Sequence, residues 1–204
     1  MKLKTQAKSN KKFQAPEVKA GSYFGRVVQI IDLGVQKQTD WQTGAEKDPQ
    51  RKLMISVEVP KLTYEDKDHN KIPRWFYKEI TFSSNEKSSM YSIFSDILGY
   101  DQNDWNNNDI DLFDALSLPV MVQIGHTNTG NPKVLNIVSA PEGVEVPEPK
   151  FGSSGFDYDF PNFGVFKSLQ PWMQEKLKSA LNYKGSKLEA LILSDELQDD
   201  DIPF

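Results

Sequence analysis

Tyr23-Phe24-Gly25-Arg26-Val27-Val28-Gln29-Ile30-Ile31-Asp32-Leu33-Gly34-Val35 is rich in β-branched and aromatic side chains and is interrupted by two glycines. Such a run predicts a long strand, and glycines within it predict a bend or bulge. The next apolar run agrees. Between Arg51 and Val59, Leu53, Ile55, Val57 and Val59 alternate with Lys52, Met54, Ser56 and Glu58, the period-two pattern of a half-buried strand. Ile72 to Phe82 predicts a third strand. Phe76, Ile80 and Phe82 lie on one face; Trp75, Tyr77, Glu79 and Thr81 lie on the other; Lys78 interrupts the apolar face. Polar Gln36–Gln50, with Gly44 and Pro49, predicts a loop of about fifteen residues, a length that tends to accompany function. Pro60–Asn70 predicts a charged connection.

Beyond these strands the period changes. Met90, Ile93, Phe94 and Ile97 recur at helical spacing, which predicts a helix over about Glu86–Leu98, capped by Ser84 or Asn85 and ended by Gly99. Gln102–Asp109 predicts a loop, and Asp111–Leu116 a short helical turn. Leu118–Gly125 and Lys133–Val138 predict two strands joined by the turn-rich segment His126–Asn131. Three strands, a helix and two strands is the element order of the OB-fold, a five-stranded, partly open barrel with its helix between strands three and four. The expected fold is therefore mainly β, an OB-fold barrel over residues 21–140.

The flanks differ in composition. Residues 1–20 hold Lys2, Lys4, Lys8, Lys11, Lys12 and Lys19 against Glu17 and predict a basic flexible arm. Residues 141–166 are rich in proline and glycine and predict a linker. It contains Phe156-Asp157-Tyr158-Asp159-Phe160, more aromatic surface than a solvated tether carries, so part of it is expected to pack on the barrel. Residues 167–193 predict a helical segment. Pro171 fits a first helical position, and Trp172, Met173, Leu177, Ala180 and Leu181 share a broad face. Lys187–Leu193 adds a turn or two, and residues 194–204 form an acidic tail.

The net charge of −5 conceals a division along the chain. Residues 1–94 carry 17 Lys+Arg against 11 Asp+Glu, a net +6; residues 95–204 carry 7 against 18, a net −11. Phosphate binding follows the local field rather than the total. The acidic half is placed to compete with nucleic acid for the basic half. There is no cysteine, which excludes disulfides, thiolate zinc sites and cysteine nucleophiles. No stretch has the apolar length of a membrane span, and Met1–Thr5 lacks the apolar core of a secretion signal, so a cytoplasmic location is expected.

Binding an unpaired strand requires cations that track phosphates and flat side chains on which bases stack. The first three strands and their loops supply both. Lys37, Trp41 and Lys47 lie in the long polar segment, followed by Arg51 and Lys52; Arg74, Trp75, Tyr77 and Lys78 lie on the third strand; Lys133 borders the last loop. OB-folds bind along strands two and three and the adjoining loops. Arg26 is a further candidate phosphate contact, with a plain surface position as its alternative. For Trp75 and Tyr77 the alternative is packing beneath the C-terminal segment. Enzyme signatures are weak. Asp66-Lys67-Asp68-His69-Asn70 starts like a calcium loop, but Lys71 replaces the needed glycine and Tyr77 the closing glutamate, which leaves a solvated turn. His69 and His126 lack metal-ligand spacing. Gly152-Ser153-Ser154-Gly155 lacks the strand-to-helix setting of a nucleophile elbow. No metal or cofactor is expected.

The chain's last residues, Asp199-Asp200-Asp201-Ile202-Pro203-Phe204, combine carboxylates with two apolar side chains around a proline. Ile202 and Phe204 suit an apolar pocket, and the carboxylates suit basic side chains around it. The string resembles the C-terminal tip of bacterial single-stranded DNA-binding proteins. Tyr23–Gly34 also resembles the opening strand of single-stranded DNA-binding proteins encoded by tailed bacteriophages, and Trp172–Gly185 looks like the helix that follows in them. The resemblance implies a non-enzymatic protein that coats single-stranded DNA in replication, recombination and repair. Its tip would recruit replication and repair proteins in the host cytoplasm. Bacterial tails are long and rich in glycine, glutamine and proline, whereas a helix is predicted here, so the bacterial tetramer is not implied. Two other readings stay open: a protein-interaction adaptor with an OB-like barrel, and a magnesium-dependent nuclease built on scattered carboxylates.

Overall fold

The structure is a computed structural model that describes residues 16–40, 42–107 and 110–199, with side chains as far as residue 195. Trp41 and the tip residues Asp200, Asp201, Ile202, Pro203 and Phe204 lie outside the described residues, as does the Asp199 side chain; most of the predicted basic arm does too. The strands are β1 (Gly21–Thr39), β2 (Glu46–Glu65), β3 (Lys71–Thr81), β4 (Pro119–His126), β5 (Pro132–Ser139) and β6 (Ser154–Phe156). The helices are α1 (Ser89–Leu98), α2 (Gln102–Asn107), α3 (Phe163–Ser168), α4 (Pro171–Lys178) and α5 (Lys187–Asp199), with a 3-10 turn over Leu112–Ala115. The fold is mainly β. Its open sheet runs β3-β2-β1-β4-β5, antiparallel throughout, and β6 adds to β1 in parallel. No helix among the described residues is long and apolar enough to cross a membrane.

The quoted stretch organises the sheet. Gly21–Arg26 pairs with β4, and Arg26–Thr39 pairs with β2, so β1 changes partner at Arg26. Gly25 sits at that change, where a Cβ would lie 2.3 Å from the Glu58 carbonyl oxygen. Gly34 occupies a register shift between Asp32 and Val35 with φ +67°, and a Cβ there would meet the Tyr158 ring and Asn182 Oδ1 at 2.8 Å. Both positions admit only glycine without rearrangement.

The predicted loop Gln36–Gln50 is mostly ladder instead. Gln36 pairs with Gln50, Gln38 with Lys47 and Thr39 with Glu46, so the ladder runs out to Thr39 and Glu46. Its strands project into solvent, so they carry no apolar alternation, and a bulge accommodates Pro49. The Pro60–Asn70 connection likewise shrinks to the turn 66–70, because β2 continues past a register shift between Val59 and Thr63. In that turn Asp66 Oδ1 accepts from the Asp68 and Asn70 amides at 2.9 and 2.8 Å, a hydrogen-bonded Asx turn. Helix α1 starts later than expected. Ser88 Oγ accepts from the Tyr91 amide at 3.0 Å as the cap, while Asn85 closes the turn before it. Gln102–Asp109, predicted as loop, contains α2.

Two apolar cores lie on opposite faces of the sheet. The first gathers Val27, Ile30, Leu53, Ile55, Val57, Phe76, Ile80 and the strand residues Val120, Val122 and Ile124 beneath α1. The second gathers Ile31, Leu33 and Met54 against Phe156, Tyr158, Phe166, Met173, Leu177, Leu188 and Ile192. The predicted linker thus contains β6, the start of α3 and two of the most buried aromatic rings, consistent with the expectation that part of it packs. Burial drives the Tyr158 phenol up to about 12, and its hydroxyl donates to the Leu177 carbonyl at 3.1 Å. Because this second layer covers β2, the strand is buried on both faces, not one: Met54, Ser56 and Glu58 are as enclosed as their neighbours.

Candidate nucleic-acid interface

The outer sheet edges, β3 and β5, share no ladder, but Lys78 Nζ donates to the Leu135 carbonyl at 2.5 Å across the gap. The lysine that breaks the apolar face of β3 therefore ties the two edges. Along this gap runs a groove of about 710 Å³. Its wall brings together Lys52, Arg74, Trp75, Tyr77, Lys78 and Lys133, all candidates from the sequence. None of the four cations forms an ion pair among the described residues, although the Glu79 carboxylate acts on Lys52 through space. Glu79, which also lines the groove, is occupied by Lys176. The local field is therefore positive although the chain is acidic.

Three of the cations, Lys52, Arg74 and Lys78, are positioned by neutral groups. Lys52 Nζ donates to Gln50 Oε1 at 2.8 Å and Thr81 Oγ1 at 3.1 Å. Arg74 donates to the Pro16 carbonyl at 2.6 Å and lies 5.6 Å from the Phe76 ring centroid. Burial pushes the Lys52 ammonium below its ordinary pKa; at Lys78 burial and then Lys133 do the same. Lys133 is exposed at the start of β5.

The aromatics are presented differently. Tyr77 is 54% exposed on the outer face of β3. Trp75 is half-buried, and its indole Nε1 donates to Glu58 Oε2 at 2.8 Å. Glu58, only 2% exposed, also accepts from the Lys150 amide at 2.9 Å. This carboxylate, read as solvent-facing from its place in the alternation, fixes the indole plane. Glu58 pairs in register with Trp75, the one signal that links them.

The remaining candidates lie elsewhere. Arg26 is not on the groove wall: its guanidinium donates to the carbonyls of Ser117, Val146 and Pro147 and pairs with Glu148 at 2.9 Å. Arg51 pairs with Asp32 and, at 2.7 Å, with Asp159, and packs 4.9 Å from the Phe82 ring centroid. Those partners, Asp32 foremost, hold the Arg51 pKa above its ordinary value. Lys47 pairs with Asp40 at 2.6 Å in the β1–β2 turn. Lys37 is exposed on the same hairpin, away from the groove wall.

Sequence reasoning missed Trp172. Met173 and Leu177 bury one face of α4 and Ala180, just beyond its end, is buried too, whereas Trp172 and Leu181, assigned to the same face, are 45% and 47% exposed. The indole of Trp172 instead lies 5.3 Å, centroid to centroid, from the Tyr77 ring at an interplanar angle of 33°. Its signal was positional: one residue before Met173, it falls about 100° off the buried stripe. Among the described residues no cluster of three or more His, Asp or Glu side chains is arranged to hold a metal ion. No family model matches the chain, and no curated protein matches it in sequence.

Proposed function

We propose that this protein binds single-stranded DNA without enzymatic action and coats it during replication, recombination or repair. The observation that carries the reading is the groove along β3: four cations, none in an ion pair among the described residues, line it together with Trp75 and Tyr77. Phosphates pair with Lys52, Arg74, Lys78 and Lys133 while bases stack on the exposed rings. The strand order, with a helix between β3 and β4, supports an OB-like barrel left open between β3 and β5. In that fold the groove coincides with the strand-two and strand-three face and the loop joining strands four and five. The sequence 199–204 would recruit replication and repair proteins, as its likeness to bacterial tips suggests. A phage origin and work in the host cytoplasm fit the same likeness.

The test is a fluorescence titration with oligo-dT and an equally long duplex, for the wild type and Tyr77→Ala. The wild type binds the single strand in preference to the duplex, and Tyr77→Ala loses about 1–3 kcal/mol of that binding, the worth of one stacked base. Equal binding of both nucleic acids, or none, defeats the proposal.

A further inference from the structure

Behind the groove, between the outer face of the sheet and α4, lies a second cavity of about 560 Å³. Its walls include Gln29, Tyr64, Trp75, Tyr77, Phe151 and Trp172. Arg74, Trp75 and Tyr77 line both this cavity and the groove, so the two are continuous along β3. One wall residue is anomalous. Gln29 of β1 is only 7% exposed, and its amide Oε1 has no hydrogen-bond partner. Buried acceptors are almost always paired, because an unpaired one forfeits its hydration with nothing in return. The last side-chain torsion of glutamine is soft, so the amide can turn its oxygen to a guest in the cavity.

The guest must be flat to lie between aromatic walls. It must carry an N–H on its edge to satisfy Gln29. It must also be reachable from a strand whose phosphate is held by Arg74. We infer that this cavity receives one nucleobase turned out of the bound strand, its ring against Trp172 and Trp75 and an edge N–H donated to Gln29 Oε1. The inference rests on the single-stranded DNA reading and deepens it. Groove stacking is indifferent to base edges, but this subsite reads one.

Thymine has a single edge N–H, at N3, which methylation removes while the ring stays flat. Oligo-dT and the same oligomer of N3-methylthymidine are therefore titrated against the full chain, for the wild type and Gln29→Leu. The wild type binds the methylated strand roughly tenfold more weakly, as expected when a buried acceptor loses its donor. Gln29→Leu binds both strands alike, and thermal unfolding verifies that the variant is folded. Trp172→Ala, at an exposed position, also narrows the difference. If the wild type binds both strands equally, the subsite is refuted while strand binding stands. If it binds neither strand, the single-stranded DNA reading fails and this inference goes with it.

Discussion

Arg26 donates to three carbonyls and one carboxylate, three of those groups from residues 146–148, while Lys133 has no acidic partner among the described residues. Both are cations near aromatic strands, and in the sequence they look alike. Their substitutions should part company. Arg26→Gln leaves oligo-dT affinity nearly unchanged but strands part-buried carbonyls, and destabilises the fold by about 1 kcal/mol in urea unfolding. Lys133→Gln leaves the unfolding midpoint alone and flattens the log-log salt dependence of binding by about 0.7. The reverse pattern would move the interface away from β3. What separates such residues is sequence distance: Arg51 meets Asp159 108 positions along the chain, and no local pattern announces such a pair. Lys52 and Lys78 make a second case. In the free protein both ammonium groups lie below their ordinary pKa through burial. A phosphate favours the charged form, so binding raises those pKa values and takes up protons. Affinity should therefore fall as pH rises through the range where the free lysines deprotonate, with isothermal titration in buffers of different ionisation enthalpy reporting the proton uptake. Flat affinity and no proton exchange there would exclude both lysines from the contact.

Within β1, Gly34 carries the bulge between Asp32 and Val35. Its φ of +67° and the 2.8 Å approach to Tyr158 leave no room for a Cβ. Gly34→Ala should lower stability by about 2–4 kcal/mol, more than the gain usual for such a substitution at a permissive site is reversed, because strain and a core clash add. Chemical denaturation measures it; an unchanged midpoint would mean that the bulge is pliable. The strands and α1 were legible because each shows its period in the residues: Leu53, Ile55 and Val57 on one side of β2, Met90, Ile93 and Ile97 on one side of α1. The second buried face of β2 was not. Ser56 and Glu58 read as solvent-facing because polar side chains alternate with apolar ones, yet both are buried, and Glu58 is held by Trp75 of β3 and the distant Lys150 amide. The polar hairpin failed for the opposite reason: backbone pairing holds its strands, and no apolar alternation marks them. Of the candidate site, the β3 cluster Arg74, Trp75, Tyr77 and Lys78 was visible in sequence, whereas Trp172 was hidden by its place beside an amphipathic stripe.

Across the chain, the C-terminal region is part of the fold. Phe156, Tyr158, Phe166 and Leu177 seal the face of β1 and β2 that carries Ile31, Leu33 and Met54, and α4 sets Trp172 against Tyr77. Four carboxylates are taken up by ion pairs: Glu79, on the groove wall, pairs with Lys176, Asp32 and Asp159 pair with Arg51, and Glu148 pairs with Arg26. What remains along β3 is a local positive field on a protein of net charge −5. The most direct measurement is the affinity for oligo-dT over a series of salt concentrations. With Lys52, Arg74, Lys78 and Lys133 all engaging phosphates, log affinity should fall linearly against log salt with a slope of about −3. A slope near zero, or one unaltered when Lys52 and Lys133 are both replaced by Gln, would contradict the account.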